Sequence, residues 1–380
     1  MGNDHSKDFG PFDGKIWLNS AGEGALPRVS VAALQEAVTW KVKPFQLTHQ
    51  RFQEVPLKLK AALGRLLGVD PLDVILGNSA TYGIHLLANG IPFTAGDEVL
   101  LMRNDFPTDI LPWLALEEQG VKVLQLASRG PVIEPEEILK AITPATRVVC
   151  LPHVHTFSGH ILDVPAIAKI CRRRNIIFVL NVSQSLGYIP LDLNRLAVDA
   201  VTSAGFKWLC GPYGTGVCWI KPELRSTLKY RQAFWVNVMS EQELASTGEL
   251  RYTPQNTAKA LDVFGTANFF NFVPLTASAE YFLKIGIGNV GAMIDQRVQE
   301  LIKGLDGKPY TLISPREKGQ RSALVVFSHT NPEKNGAIFR RLIDQGIFPA
   351  RWKGNLRVAP HIFNTAKDIN KLLWTLNEKE

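Results

Sequence analysis

The sequence predicts an α/β protein in which a mostly parallel sheet is covered by helices on both faces. Short runs that are apolar at nearly every position alternate with helix-like stretches between residues 73 and 220. Strands buried on both faces have such continuous apolar runs, and their alternation with helices is typical of parallel sheets. The predicted strands are 73–76, 98–102, 122–126, 147–151, 176–180, 200–203 and 216–220, and the predicted helices are 80–87, 108–118, 136–141 and 164–174.

The pattern changes after about residue 222. Longer helix-like stretches at 274–284 and 291–305 precede a strand-like run at 322–327 and a helix-like stretch at 335–345. This change predicts a smaller C-terminal α+β domain. The predicted division is an N-terminal arm at 1–15, a large domain at 16–255, and a small domain at 256–380 that also takes in part of the N-terminal segment.

The composition is that of an ordinary globular protein, with 380 residues, 46% hydrophobic side chains and a net charge of +7. Basic residues are dispersed apart from Arg172, Arg173 and Arg174, which favours a solvated helix end over nucleic-acid binding. No apolar run approaches the roughly 20 residues of a membrane span, and residues 1–13 are too polar for a signal peptide. We therefore expect a cytoplasmic protein that binds neither nucleic acid nor membrane.

The four cysteines are Cys150, Cys171, Cys210 and Cys218, and no two of them form a close pair. Each lies in or beside an apolar run, which favours buried structural thiols. Disulfides and a zinc site are therefore not expected.

Lys207 lies between two apolar runs and is followed by a glycine-rich turn. Burial in such surroundings favours the neutral amine, which is a nucleophile that can form a Schiff base with an aldehyde cofactor. Taken alone, the segment is more typical of a lysine whose stem packs while its amine reaches solvent. The residues that follow the other predicted strands must therefore decide between a Schiff-base lysine and a lysine whose amine reaches solvent.

Ligands of open parallel sheets bind beyond the carboxyl ends of the strands. Ser79, Ala80 and Thr81 follow the first predicted strand and open a helix, where they could hold a phosphate or merely cap the helix. Phe106 follows the second strand and could stack on a flat heterocycle or belong to the core. Both readings of each segment stay open from these residues alone.

Polar residues follow the strands 147–151 and 176–180. His153 and His155 are spaced as a metal pair on one strand face would be, but no further ligand follows at a familiar spacing, so no metal is expected. The other polar groups after these strands, which could hydrogen-bond a ring, are Thr156, Asn181, Ser183 and Gln184. Together with Lys207 after the strand 200–203, these strand ends describe a pocket for pyridoxal 5′-phosphate.

Two motifs give the chain a family resemblance. They are Gly205-Phe206-Lys207-Trp208-Leu209 with Gly211-Pro212, and Leu356-Arg357-Val358-Ala359-Pro360-His361 with Phe363-Asn364-Thr365. On these the chain resembles the class V aminotransferase superfamily of fold-type I pyridoxal phosphate enzymes, especially its cysteine C–S lyase, isopenicillin N epimerase-like and kynureninase-like branches. The resemblance spans residues 16–376 and implies a large cofactor-binding domain with a smaller C-terminal one.

The resemblance also implies roles for the cofactor residues. Lys207 falls on the lysine that forms the internal aldimine, and Ala80 and Thr81 fall on phosphate-binding positions. Phe106 falls on the residue that covers the ring, and Gln184 on the one that contacts its 3′ oxygen. Gly265 and Thr266 resemble the Gly-Thr pair by which the neighbouring subunit of a homodimer completes the phosphate site, so we expect a homodimer with shared active sites.

A second set of implied roles concerns the substrate. Arg357 falls on the arginine that pairs with the substrate carboxylate in kynureninase-like members, while desulfurase-like members place it nearer Arg351. Asn19 and Ala21 lie in a segment that resembles the one closing over the substrate. We also expect Trp235 and Trp352 to contribute to the pocket walls.

The chain departs from the family pattern at several positions. Most members have an aspartate where Asn181 stands, and asparagine carries no charge to stabilise a protonated ring nitrogen, so a weaker electron sink is expected. Ala204 replaces a phosphate-binding serine, for which Ser203 or Thr266 could compensate. The loop from 346 to 360 lacks the cysteine of persulfide-forming desulfurases.

These observations predict a pyridoxal phosphate-dependent enzyme that acts on an α-amino acid or amino-acid conjugate through Lys207. Without the loop cysteine, β-elimination of a C–S bond is favoured over the desulfurase reaction. Transamination or epimerisation is the first alternative. A non-catalytic protein that keeps the fold as a binding module is the second.

Overall fold

A computed structural model of the chain describes residues 4–229, 232–245, 247–253 and 255–377. Residues 1–3 of the expected N-terminal arm and 378–380 of the expected small domain lie outside these ranges. The strands are β1 (Ile16–Trp17), β2 (Val74–Gly77), β3 (Glu98–Met102), β4 (Lys122–Leu126), β5 (Thr146–Pro152), β6 (Ile177–Asn181), β7 (Ala200–Ala204), β8 (Gly216–Ile220), β9 (Tyr310–Leu312), β10 (Val325–His329), β11 (Ile347–Phe348), β12 (Ala350–Trp352) and β13 (Asn355–Val358).

Helices connect and cover these strands. They are α1 (Arg28–Val42), α2 (His49–Leu67), α3 (Ala80–Gly90), α4 (Leu111–Leu114), α5 (Pro135–Ala141), α6 (Val164–Arg173), α7 (Leu193–Leu196), α8 (Pro222–Thr227), α9 (Trp235–Val238), α10 (Glu241–Ala245), α11 (Phe269–Ile285), α12 (Ile287–Leu305), α13 (Asn335–Asp344) and α14 (Ala366–Asn377). No described helix is both long enough and apolar enough to cross a membrane.

The central sheet has seven strands in the order β2-β8-β7-β6-β5-β3-β4. Its pairings are parallel except at β8, which runs antiparallel to both β2 and β7. Nearly all side chains of the inner strands are buried, since helices cover both faces. The predicted fold class is therefore confirmed, and the ends of β5, β6 and β7 lie next to each other at one edge.

The predicted strands of this sheet match the observed ones closely. The strands 98–102, 122–126 and 216–220 agree at both ends, and the others differ by one residue at one or both ends. The predicted helix 108–118 is instead a short helix, α4, between two 3-10 turns. Pro112 explains the difference, because it has no N–H to bond the carbonyl of residue 108.

Two long helices, α1 and α2, were not predicted. Helix α1 exposes Val29, Val31 and Val38 and shows no clean apolar stripe, whereas α2 has an apolar face but contains Pro56, which is unfavourable inside a helix. Both pack against α11. Tertiary packing therefore stabilises α1, which the local pattern does not indicate, and α2 despite its internal proline.

A second, antiparallel sheet lies in the C-terminal part, with strand order β12-β13-β10-β9. The predicted strand 322–327 corresponds to β10, which begins three residues later and ends two residues later. The N-terminal segment joins this part, because β1 pairs in parallel with β11 and Asn19 forms a bridge with Ala359. This connection carries the N-terminal segment across the carboxyl edge of the central sheet. The predicted division at residues 255 and 256 stays a prediction.

Candidate active site

A cavity of about 560 Å³ opens at the carboxyl edge of the central sheet. Its volume lies within the roughly 300–1,000 Å³ usual for small-molecule sites. Most of the predicted site residues line it, namely Ala21, Ser79, Ala80, Thr81, Phe106, Thr156, Asn181, Ser183, Gln184, Lys207 and Arg357. A larger groove of about 930 Å³ lies at the opposite end of the strands and contains none of them. Most of the residues predicted to bind the cofactor or the substrate therefore lie in one cavity.

Lys207 follows β7 in a tight turn in which Gly211 donates its N–H to the carbonyl of Gly205 at 3.0 Å. The N-terminal segment packs directly on this turn, since a Cβ at Gly24 would lie 2.0 Å from the Lys207 carbonyl oxygen. Burial, aided by the charge of Arg357, lowers the pKa of the Lys207 amine to about 8, although Asp109 and Glu23 act in the opposite direction. A substantial fraction of this amine is therefore neutral at mildly alkaline pH.

Arg357 enters the cavity from β13, where it is 3% exposed. One of its terminal nitrogens donates to Oδ1 of Asn19 at 3.0 Å, and the other lies 3.5 Å from the carbonyl oxygen of Thr156. Its Nε has no hydrogen-bond partner among the described residues. Burial lowers the pKa of the guanidinium to about 10, so it stays charged at neutral pH. A buried cation with an unused donor suits an anionic ligand.

The start of α3 lines the cavity. Ser79 caps the helix, with its Oγ accepting the N–H of Tyr82, and Thr81 shares a hydrogen bond of 3.0 Å with Thr108. Strand β8 approaches so closely that a Cβ at Gly216 would lie 2.6 Å from the Ser79 backbone. A helix N-terminus held open in this way presents backbone N–H groups to an anion.

Phe106 and Gln184 face the same space. The Lys207 Nζ lies 5.2 Å from the centre of the Phe106 ring. Gln184 donates from Nε2 to the Ala21 carbonyl at 3.0 Å and accepts at Oε1 from the Trp208 indole at 2.9 Å. Gln184 therefore also holds the N-terminal segment over the cavity.

Asn181 closes the floor beside Asp109, a residue that sequence reasoning missed. The Asn181 amide nitrogen donates to both Asp109 carboxylate oxygens, at 2.8 and 3.1 Å, while its Oδ1 accepts the Ser183 N–H at 2.9 Å. Burial raises the pKa of Asp109 to about 7, although the Asn181 hydrogen bond and the Lys207 charge lower it. The cavity thus contains a buried acid on the segment after β3, two strands away in the sheet from the end of β6, where the family resemblance indicated one.

Glu23 is the second missed acid. It lines the cavity beside Lys207, and burial raises the pKa of its carboxyl while the Lys207 charge partly offsets the rise. Its position in the N-terminal segment gave a signal, because that segment was expected to close over the substrate. Asp109 also had a signal, since it lies three residues beyond Phe106.

Several predicted residues do not line the cavity. Asn19 lies outside the cavity and accepts a hydrogen bond from Arg357. The Ser203 hydroxyl donates to the Ala204 carbonyl at 3.0 Å. Arg351 is exposed on β12. Thr266 and Trp235 line a separate cavity of about 570 Å³, whereas Trp352 lines the candidate active site.

The histidines and cysteines have structural surroundings. His153 and His155 each hydrogen-bond a serine hydroxyl, Ser185 at 2.9 Å and Ser158 at 2.8 Å, and burial lowers the pKa of each imidazole to about 4. All four cysteines are buried and free in the structure.

Comparisons with known proteins agree with this geometry. The family model described as aminotransferase class-V matches residues 16–348. The chain belongs to the class V aminotransferase family. The predicted family and the prediction of a pyridoxal phosphate-dependent enzyme are therefore confirmed.

Individual relatives in this family are distant. The chain is 24% identical over 378 residues to isopenicillin N epimerase of Streptomyces clavuligerus, covering 95% of this chain and 94% of the relative. It is 28% identical over 281 residues to a probable cysteine desulfurase of Xylella fastidiosa, covering 72% of this chain and 65% of the relative. These relatives differ in reaction, so they place the chain in the family without selecting its chemistry.

Solved structures support the fold. A mutant of C-DES with glycine covalently linked to its pyridoxal phosphate cofactor superposes with a TM-score of 0.89 at 23% identity, covering 99% of both chains. A complex of the cystine C–S lyase C-DES with its product cysteine persulfide superposes with a TM-score of 0.87 at 24% identity, covering 95% of this chain and 97% of that one.

The cavity residues of this class V family member fit pyridoxal phosphate. The start of α3 would hold its phosphate, Phe106 would cover its ring, and Lys207 would carry it covalently. Gln184 and Asn181 would offer hydrogen bonds at the rim of the ring. The free Arg357 Nε remains for a substrate carboxylate.

Proposed function

We propose that the protein catalyses β-elimination from an α-amino acid that carries a sulfur leaving group on its β-carbon. The reaction converts an S-substituted cysteine and one water into a thiol, pyruvate and ammonium. The observation that carries the proposal is that Lys207 and Arg357 share one cavity whose lining includes no cysteine. An amine and a carboxylate-binding arginine suit an amino acid, and the missing thiol disfavours persulfide formation.

Each residue of the site has a separate role in this elimination. When bound, the cofactor withdraws electrons and makes the Cα–H of the amino acid acidic. Arg357 binds the substrate carboxylate with paired donors. The Lys207 amine, whose pKa is about 8, accepts the α-proton as a general base. Glu23, whose pKa burial raises, supplies a proton to the departing sulfur.

The cysteines support elimination over desulfuration. Burial raises the pKa of the Cys171 thiol to about 12 and raises the pKa values of Cys150, Cys210 and Cys218 as well. None of them lines the cavity. A buried neutral thiol outside the site cannot attack a substrate sulfur.

Epimerisation is the second candidate, and Glu23 favours it. An epimerase needs two groups that exchange protons with Cα, and Glu23 is a second titratable side chain beside Lys207. The similarity to isopenicillin N epimerases over nearly the whole chain is consistent with this candidate. Transamination has no separate observation in its favour.

The products distinguish these reactions. Purified protein loaded with pyridoxal phosphate is incubated with an S-alkyl cysteine, and thiol, pyruvate and the D-enantiomer are measured in one sample. We expect thiol and pyruvate in equal amounts. Release of D-amino acid without thiol, or transfer of the amino group to an added keto acid, would replace elimination with the corresponding alternative.

The shared active site of a homodimer is also proposed. Gly265 lies in an exposed turn with positive φ, next to Phe264, which is 63% exposed. The Thr266 hydroxyl lies within 2.8 Å of Asn237 Oδ1 and of the Val263 carbonyl, so it is bound within its own chain. The surrounding exposed apolar side chains, which favour a second copy as the covering surface, are Phe52, Leu57, Leu72, Trp235 and Phe264.

A charge on this surface tests the dimer. We expect the wild type to be a dimer by light scattering and Phe264→Asp to shift it toward monomer, with at least about tenfold weaker binding of pyridoxal phosphate because one phosphate contact is lost. Leu139→Asp, at an exposed position of α5, is the matched control and should change neither quantity. A monomeric wild type with full cofactor affinity would refute the shared site.

Two further predictions remain proposals. The division into 16–255 and 256–380 is supported by the separate antiparallel sheet of β9, β10, β12 and β13. A cytoplasmic location is supported by the four free thiols, which suit a reducing compartment.

A further inference from the structure

A buried acid in the cofactor cavity lacks a charged partner. Asp109 is 2% exposed and lines the cavity. Its two oxygens accept hydrogen bonds from the neutral Asn181 amide, and it forms no salt bridge within the described chain. Burying a carboxylate without a cation is costly, so a ligand that brings a positive charge would be stabilised here.

The orientation of Asn181 is fixed by its two partners. The Ser183 backbone N–H can only donate, so the atom facing it at 2.9 Å must be the amide oxygen. The amide nitrogen then points at Asp109. Asn181 therefore cannot supply an anion, but it holds one in place at the end of β6.

A second buried acid interacts with Asp109. Asp105 is buried near Asp109; one of its oxygens accepts the Phe106 N–H at 2.7 Å and the other has no partner among the described residues. Burial, together with the Asp109 charge, raises the pKa of Asp105 well above its usual range. The cations that act on the pair are Lys207 on Asp109 and Lys353 on Asp105. Asp105 does not line the cavity, so Asp109 is the acid that a ligand would meet.

We propose that Asp109 is the carboxylate that keeps the ring nitrogen of bound pyridoxal phosphate protonated, and that Asn181 is its positioning residue. The acidic function lies on the segment after β3 instead of at the end of β6. On this proposal a weak electron sink is no longer expected, because a carboxyl group lies in the cavity although Asn181 is neutral. The inference rests on the cofactor site of the proposed function and holds whichever reaction that site performs.

The test compares two ligands that differ at one ring atom. Binding of pyridoxal phosphate and of its 1-deaza analogue, in which C–H replaces the ring nitrogen, is measured on cofactor-free protein by quenching of tryptophan fluorescence. We expect Asp109→Asn to weaken pyridoxal phosphate by about 10- to 100-fold, the factor typical of one hydrogen bond between charged groups. Affinity for the deaza analogue should not change, because that ligand has no ring nitrogen to protonate.

Exchanging the two side chains provides the rescue. The double variant Asp109→Asn with Asn181→Asp moves the carboxylate across the hydrogen bond, and we expect its affinity for pyridoxal phosphate to return to within about threefold of the wild type. Asp105→Asn removes the neighbouring acid outside the cavity and should keep the preference for pyridoxal phosphate over the analogue. The ratio of the two affinities is insensitive to a general loss of folding.

The outcomes are distinct. Equal weakening of both ligands by Asp109→Asn, or no weakening of either, would assign Asp109 a purely structural role and overturn the proposal. Neither result would bear on whether thiol and pyruvate are formed, so failure of this inference is separable from failure of the proposed function.

Discussion

Replacing Lys207 with alanine is expected to lower kcat by at least about 10³-fold, because the side chain both carries the cofactor and removes the α-proton. Borohydride reduction of the wild type should fix the cofactor to a peptide that contains Lys207, detected by mass spectrometry. The variant should show no such labelled peptide. Added methylamine should restore part of the rate, since a free amine can take over proton transfer but not the covalent attachment.

The matched control for this change is Lys353→Ala. Lys353 also lies near the cavity, where its amine donates to the Asn104 carbonyl at 2.8 Å and sits 3.9 Å from the centre of the Phe157 ring. Its loss should leave the labelled peptide in place and kcat within a few-fold of the wild type. Labelling at any lysine other than Lys207 would contradict the assignment.

The Lys207 variant has a second readout in the cofactor-free protein. Burial lowers the pKa of Lys207 from its ordinary 10.5 to about 8, so between these pH values the unfolded chain binds more protons than the folded one. The free energy of unfolding of the wild type therefore rises with pH over this window. The alanine variant lacks that contribution, so its stability relative to the wild type should be greatest below about pH 8 and decline toward pH 10.5.

The central sheet could be predicted because its strands are buried on both faces and are therefore apolar without interruption. The same rule located the site, since the residues after β2, β3, β6 and β7 meet at the carboxyl edge. For this reason the Lys207 Nζ lies 5.2 Å from the centre of the Phe106 ring, although the two residues are about a hundred positions apart in sequence. It was sufficient for these assignments to know that a residue follows the end of a predicted strand.

The pairing of Asp109 with Asn181 could not be predicted in that way. The two residues come from different strand ends, and the hydrogen bonds between them depend on a turn of 3-10 helix whose geometry the sequence pattern does not specify. Helix α1 was missed for a related reason, because it packs on α11 without a clear amphipathic pattern, whereas α2 is amphipathic and was missed because Pro56 lies inside it.

The choice between the two arginines also needed the structure. Arg351 and Arg357 lie on neighbouring strands, β12 and β13, where Ala350 is opposite Arg357 and Leu356 is opposite Arg351. This register places the two arginines on opposite faces of the sheet, where Arg357 is buried and lines the cavity, whereas Arg351 is exposed on the edge strand β12. Sequence spacing alone contains no information on which of the two turns inward.

Arg357→Met is therefore expected to reduce kcat/KM for the amino-acid substrate by about 100- to 1,000-fold, since a buried charge pair that loses one partner costs about 3–4 kcal/mol. Methionine fills a similar volume, and Asn19 loses its hydrogen bond to the guanidinium. Most of the loss should appear in KM, because the carboxylate is bound in the ground state as well as in the transition state.

Arg351→Met is the matched control on the adjacent strand and should change kcat/KM by no more than about twofold. If Arg351→Met instead caused the large loss and Arg357→Met did not, the substrate carboxylate would have to bind at the exposed edge of β12. Arg357→Lys separates charge from geometry: a single ammonium cannot match the paired donors of the guanidinium, so it should recover only part of the lost KM.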